Sequence, residues 1–168
     1  MNMNNNETRL PIACELSRGD TSGPRLYVTQ SMPPLHILLC HFVSDSHAVR
    51  ETMRKYDSVL AGSAVAAYFH PQDIPRERTL QIYTPRDNFD RFIRALQDIE
   101  GSADEVKRGR AEPGTCQVAQ VRTTRGTVEV LESAMGSPIW LLVFAPSTVL
   151  QNYIGADIMV VGYPWLTF

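Results

Sequence analysis

The stretch from Leu60 to Tyr83 constrains the fold more than any other part of the chain. A short apolar run, Ser58 to Leu60, meets Gly62-Ser63, and Ala64 to Phe69 follows, almost entirely apolar. Gly and Ser at that point break a strand and open a helix. A helix that is apolar on nearly every side has to be buried. His70-Pro71 closes it, because proline disfavours helical geometry in the residue before it. A charged loop, Gln72 to Arg78, then leads into Thr79-Leu80-Gln81-Ile82-Tyr83. Alternation sets Leu80 and Ile82 on one face of that strand and Thr79, Gln81 and Tyr83 on the other.

The flanking segments fill out a mixed architecture. Residues Met1 to Pro34 are weakly patterned and predict a flexible arm, with Arg25 to Thr29 as a candidate edge strand. Leu35 to Val43 begins a helix. Asp45 to Tyr56 predicts an amphipathic one, with Val49, Met53 and Tyr56 at helical spacing after cap-type residues. Thr84-Pro85-Arg86-Asp87 reads as a cap, a proline at the first helical position and an acid in the first turn. Phe89, Phe92, Ile93 and Leu96 form the apolar stripe of the helix that follows, to about Ile99. Gly101 to Thr115 is expected to be an exposed loop. Cys116 to Thr124 and Thr127 to Glu132 predict two strands joined at Arg125-Gly126. Ile139 to Phe144 is a strand or the start of a buried helix, Ser147 to Ile154 a serine-capped helix, and Ile158 to Val161 a short apolar run. Interleaved helices and strands predict an α/β (α+β) domain, residues 35–168, with helices packed on a mixed sheet.

Bulk properties exclude several function classes. At 168 residues, 43% hydrophobic and 20% charged, the chain is one ordinary globular domain by length and composition. A net charge of -2 gives no global pull toward nucleic acid or an anionic membrane. Cys14, Cys40 and Cys116 are odd in number and lack a CxxC spacing, which argues against a disulfide framework or a zinc site. Met1 to Glu7 is polar, without a basic-then-apolar signal. The apolar run Ile139 to Ala145 is too short to span a bilayer. The expected location is cytoplasm or nucleus, with no membrane partner.

Chemistry is suggested by spacing. Two acids at i and i+2 of a strand share a face and can hold divalent ions together for phosphoryl transfer. A Gly-Ser turn at a helix start offers N–H groups and a hydroxyl to a phosphate. Here Thr79 and Gln81 stand at the two strand positions. Glu129, in Thr127-Val128-Glu129-Val130-Leu131, stands on another strand, facing away from Val128 and Val130.

The quoted motifs are Leu60-Ala61-Gly62-Ser63-Ala64, Ala67-Tyr68-Phe69-His70, Leu80-Gln81-Ile82-Tyr83, Val128-Glu129-Val130-Leu131, Phe144 to Asn152 and Tyr163 to Thr167. In their order the chain resembles the polymerase β-type nucleotidyltransferase superfamily, and within it uncharacterised fungal proteins with an Asp-Leu-Asp-Leu-Tyr-type strand. The resemblance runs from about Tyr56 to Phe168, and the chain stops where similar proteins look as if they continue. It implies a nucleotidyltransferase-like sheet, a nucleotide-binding turn at Gly62 and Ser63, and an acid trio for magnesium or manganese. Thr79 and Gln81 replace the first two acids and Glu129 keeps the third. Neutral oxygens bind magnesium weakly. No cofactor is therefore expected, and metal-dependent transfer should be absent or severely impaired.

Three functions are consistent with this. The first is a catalytically degenerate nucleotidyltransferase-like domain that binds a protein, a nucleotide or RNA. The second is a divergent active enzyme using Glu129 with a loop acid, Asp73, Glu77 or Asp87, and magnesium or manganese. The third is a small scaffold that keeps only the fold and presents an exposed apolar patch. The first is favoured. Gly62-Ser63 also fits a plain helix cap, and Glu129 a plain strand glutamate. Arg76, Arg78, Arg86, Arg122 and Arg125 suit phosphate contacts, though a solvated face is the commoner use of such residues. His36, His41, His47 and His70 lack metal-ligand spacing. Oligomeric state is not readable from the sequence.

Overall fold

The computed structural model describes residues 35–69, 79–101, 107–109 and 114–162. The expected arm, the loop carrying Asp73 and Glu77, and Tyr163 to Thr167 lie outside them. Four α-helices are described: α1 (Leu35–Cys40), α2 (Ser46–Lys55), α3 (Ser63–Phe69) and α4 (Phe89–Glu100). The strands are β1 (Val59–Ala61), β2 (Thr79–Thr84), β3 (Lys107–Gly109), β4 (Thr115–Arg122), β5 (Thr127–Ser133), β6 (Tyr153–Ile154) and β7 (Met159–Val160). They form one seven-stranded sheet in the order β3-β4-β5-β2-β1-β6-β7. Among the described strands, β2 and β5 pair in parallel and the other pairs are antiparallel. The fold is thus α+β with a mixed sheet, as the patterning predicts.

Each side of the sheet has its own core. The larger one joins Leu60, Leu80, Ile82, Val121, Val128 and Val130 of the strands to Leu39, Val49, Met53, Phe92 and Leu96 of the helices. Phe92, Leu80 and Ile82 are wholly buried there. Burying a side chain of that size is worth about 2 kcal/mol. The smaller core lies on the opposite face, where Val59, Ala61, Tyr83, Val118 and Leu131 meet Leu141 and Leu142.

Local chemistry sets most boundaries. Asp45 caps α2, its carboxylate accepting from the N–H groups of His47 and Ala48 at 3.0 and 2.9 Å. Gly101, at φ +61°, ends α4 in the left-handed conformation. Thr84 is not the cap it resembles. It ends β2, wholly buried, and its hydroxyl donates to the Leu131 carbonyl at 3.2 Å. The turn Arg86–Asn88 that follows is a 3-10 helix running straight into α4.

Three further expectations are corrected. Within the expected loop 101–115, Lys107–Gly109 is an edge strand paired with β4, exposed at all three residues. The segment Pro138–Phe144 is neither strand nor buried helix but a 3-10 helix. Pro138, Leu141 and Leu142 are buried, whereas Ile139, Trp140, Val143 and Phe144 stay partly exposed. After Ser147, which makes no side-chain cap, only Thr148–Gln151 is helical, again 3-10. Tyr153 and Ile154 then join β1 and β7 as β6.

Candidate functional site

The β1–α3 turn is built around Gly62. Its φ of +76° is costly for any residue with a side chain. A Cβ there would lie 2.0 Å from Oε1 of Gln81. Glycine is therefore required twice, by the backbone and by the close approach of β2.

Opposite that turn, strand register decides which side chains meet. Gln81 pairs with Ala61 on β1 and Glu129 on β5, and Glu129 pairs with Gln120 on β4. All of these project from the face of the smaller core. Gln81 Nε2 donates to Glu129 Oε2 at 2.8 Å, and Gln120 Nε2 donates to Oε1 at 3.1 Å. Each oxygen of the carboxylate thus accepts from an amide. One row away, Thr79 pairs with Thr127, and Thr127 with Arg122.

The sites read from sequence are partly brought together. Thr79, Gln81 and Glu129 share one face of adjacent strands. Gly62, Ser63 and Gln81 line a cleft of about 300 Å3 with Tyr83, Thr115, Leu131, Leu141, Phe144, Ala145, Pro146 and Leu150. Glu129 and Thr79 do not line it. Asp87 is exposed on the 3-10 turn beyond the far end of β2, away from Gln81.

The described side chains do not by themselves make a divalent-ion site. Magnesium needs anionic oxygens in a near-octahedral set, and the one carboxylate in the row already accepts two amide hydrogen bonds. Among the described residues, no three His, Cys, Asp or Glu side chains come together as metal ligands. The cleft itself is neutral, with the Ser63 hydroxyl and the Gln81 amide beside apolar walls. Such a site suits a ring or chain of modest size held by a few polar contacts.

Gln120 was not legible as part of the site. A two-residue turn at Arg125-Gly126 would set Thr124 against Thr127 and so Arg122 against Glu129. The observed turn is four residues, Thr123 to Gly126, because the Thr123 hydroxyl accepts from the Arg125 and Gly126 N–H groups at 3.2 and 2.9 Å. Register moves by two, and an amide rather than a guanidinium faces Glu129. The threonine in Thr-Thr-Arg-Gly is the signal that could have revealed it.

No family model matches this chain, and no curated protein sequence does.

Proposed function

We propose that this chain is a nucleotidyltransferase-like domain that acts by binding, without nucleotidyl transfer. The observation that carries the reading is the amide clamp on Glu129. Gln81, at a position where the resemblance expects an acid, donates to the neighbouring carboxylate instead of joining it around a cation. The turn at Gly62-Ser63 and the cleft beside it supply a pocket that needs no metal.

Thermal melting with each nucleoside and nucleoside triphosphate, with and without magnesium or manganese, tests this, since a ligand that binds only the folded state raises Tm. The expected result is a shift that is independent of divalent ions, with no incorporation of labelled nucleotide. Metal-dependent stabilisation accompanied by turnover would overturn it.

One observation favours a second reading, an interaction domain. Ile139, Trp140, Val143 and Phe144 are exposed apolar side chains on one short 3-10 helix, Val143 being 63% exposed. Trp140 and Phe144 pack edge to face along it, with ring centroids 5.9 Å apart. Patches of this kind mark protein contacts. A dimer in sedimentation that Val143→Asp dissolves, with no response to any nucleotide, would select this reading.

A further inference from the structure

A second pocket opens around the β4–β5 turn, at the strand end that carries Thr79 and Thr127. It has a volume of about 480 Å3 and is lined by His41, Phe42, Arg122, Thr123, Arg125, Gly126 and Thr127. Among the described residues, no carboxylate lines it. We propose that this pocket binds a terminal phosphate, the dianionic group of a phosphomonoester or pyrophosphate, through Arg122 and Arg125.

Four observations carry the assignment. The Arg125 guanidinium is fixed, its Nη1 donating to the Cys40 carbonyl at 2.7 Å, which leaves its other N–H groups for a ligand. Arg122, at the end of β4, is exposed and makes no ion pair among the described residues. Every other described arginine–carboxylate pairing lies elsewhere, at Asp157, Glu51 and Asp90. The turn between the two arginines is braced by Thr123, whose hydroxyl accepts from the Arg125 and Gly126 N–H groups and also donates to the Phe42 carbonyl. That contact and the Arg125–Cys40 bond lock the turn to the end of α1, so the two cations are presented by a fixed frame.

The chemistry favours a phosphate over a carboxylate or chloride. Two guanidinium forks and the Thr127 hydroxyl supply several N–H and O–H donors around one volume, and a tetrahedral dianion has enough acceptor oxygens to take them together. His41, also lining the pocket, adds a further polar group. Two cations sharing a pocket repel each other, and a dianion relieves that repulsion. A nucleic-acid backbone is less well matched. It needs cations spaced along a track, and this chain has no basic excess and, among the described residues, no other arginine or lysine lining the pocket.

Backbone amide NMR of the intact chain, titrated with pyrophosphate and with a nucleoside monophosphate at constant ionic strength, tests the site. The expected result is saturable shifts at His41, Thr123, Gly126 and Thr127 that leave Gly62 and Ser63 unmoved. Arg122→Gln, an exposed change that should not disturb folding, weakens the apparent affinity about tenfold, as loss of a charge-assisted bond requires. Arg122→Lys recovers only part of it, because lysine keeps the charge without the fork. Non-saturating shifts, equal affinity in Arg122→Gln, or shifts centred on Gly62 and Ser63 would overturn the proposal. So would tighter binding of a single-stranded oligonucleotide that lacks a terminal phosphate.

Discussion

Gln81 and Glu129 sit opposite one another on the parallel strands β2 and β5, joined by an amide-to-carboxylate hydrogen bond of 2.8 Å. Parallel pairing puts the two side chains on one face at a strand spacing of about 4.8 Å. At that spacing the choice of residue at 81 decides the character of the site. An amide donates to the carboxylate, whereas a second acid would repel it unless a cation stood between them.

Gln81→Asp should therefore lose the donor and gain a like charge. The expected cost is about 1–2 kcal/mol in the absence of divalent ions, a fall in Tm of roughly 3–8 °C. Thr79→Asp combined with Gln81→Asp places three acids on one face of adjacent strands. Thermal melting of the double variant should show stabilisation by manganese that the parent chain lacks. Equal manganese responses in both proteins would show that residue 81 does not control cation binding.

The Gly62 turn is coupled to the same pair. Gly62→Ala imposes a side chain on a left-handed backbone, at about 1–2 kcal/mol, and drives the Gln81 amide away from Glu129. In a cycle with Gln81→Ala the steric part disappears. The double variant should then be more stable than the sum of the singles by about 1 kcal/mol. Chemical denaturation of the four proteins measures this. Strict additivity would mean that the approach of Gln81 to Gly62 carries no energy.

Much of this fold was legible because the strongest signals are local. The stripe Phe89, Phe92, Ile93 and Leu96 marks α4, Asp45 marks the start of α2, and alternation from Thr79 to Tyr83 gives β2 with its faces correctly assigned. What escaped detection depends on partners distant in sequence. Lys107–Gly109 has no apolar pattern and is a strand only because β4 lies beside it. Tyr153 and Ile154 form a strand by adding to β1. The apolar run at Ile139 became a 3-10 helix, with Leu141 and Leu142 buried against the sheet. In the site, the grouping of Gly62, Ser63 and Gln81 was legible and the role of Gln120 was not, because it depends on a hydroxyl in a turn.

Glu132 provides a test by pH. It is a buried carboxyl on the helical face of β5, 6% exposed, and burial pushes its pKa up, with Arg86 opposing and Asp90 adding to the shift. A carboxyl with a raised pKa in the fold holds its proton more readily there than in the unfolded chain. Its contribution is then fully present below the ordinary glutamate range and is lost as pH rises through the folded value. Glu132→Gln cannot ionise and keeps a hydrogen-bonding oxygen. It should melt higher than the parent chain at neutral pH, with the difference closing on acidification. A gap that is constant with pH would assign the effect to packing.

Asp157 behaves with the opposite sign. It lies in the turn between β6 and β7 and accepts from Arg54 Nε at 2.7 Å and Arg50 Nη2 at 3.1 Å, tying that turn to α2. Arg50 also donates to the Ala156 carbonyl at 2.7 Å, so the arginines clamp backbone as well as charge. The Arg54 hydrogen bond lowers the Asp157 pKa, and Arg50 adds to the effect. A depressed folded pKa gives stability that is present above the unfolded value and lost as pH falls through the folded one. The Asp157 clamp should therefore weaken on acidification. Asp157→Asn should lower Tm modestly at neutral pH, and the loss should shrink both at acid pH and in high salt, since the groups are exposed and screened. Hydrogen exchange at Met159 and Val160, which hold the edge of the sheet, should quicken in the variant under neutral, low-salt conditions. Unchanged exchange there would show that the edge hairpin is held by Ile154, Met159 and their apolar neighbours, with the ion pairs contributing nothing to it.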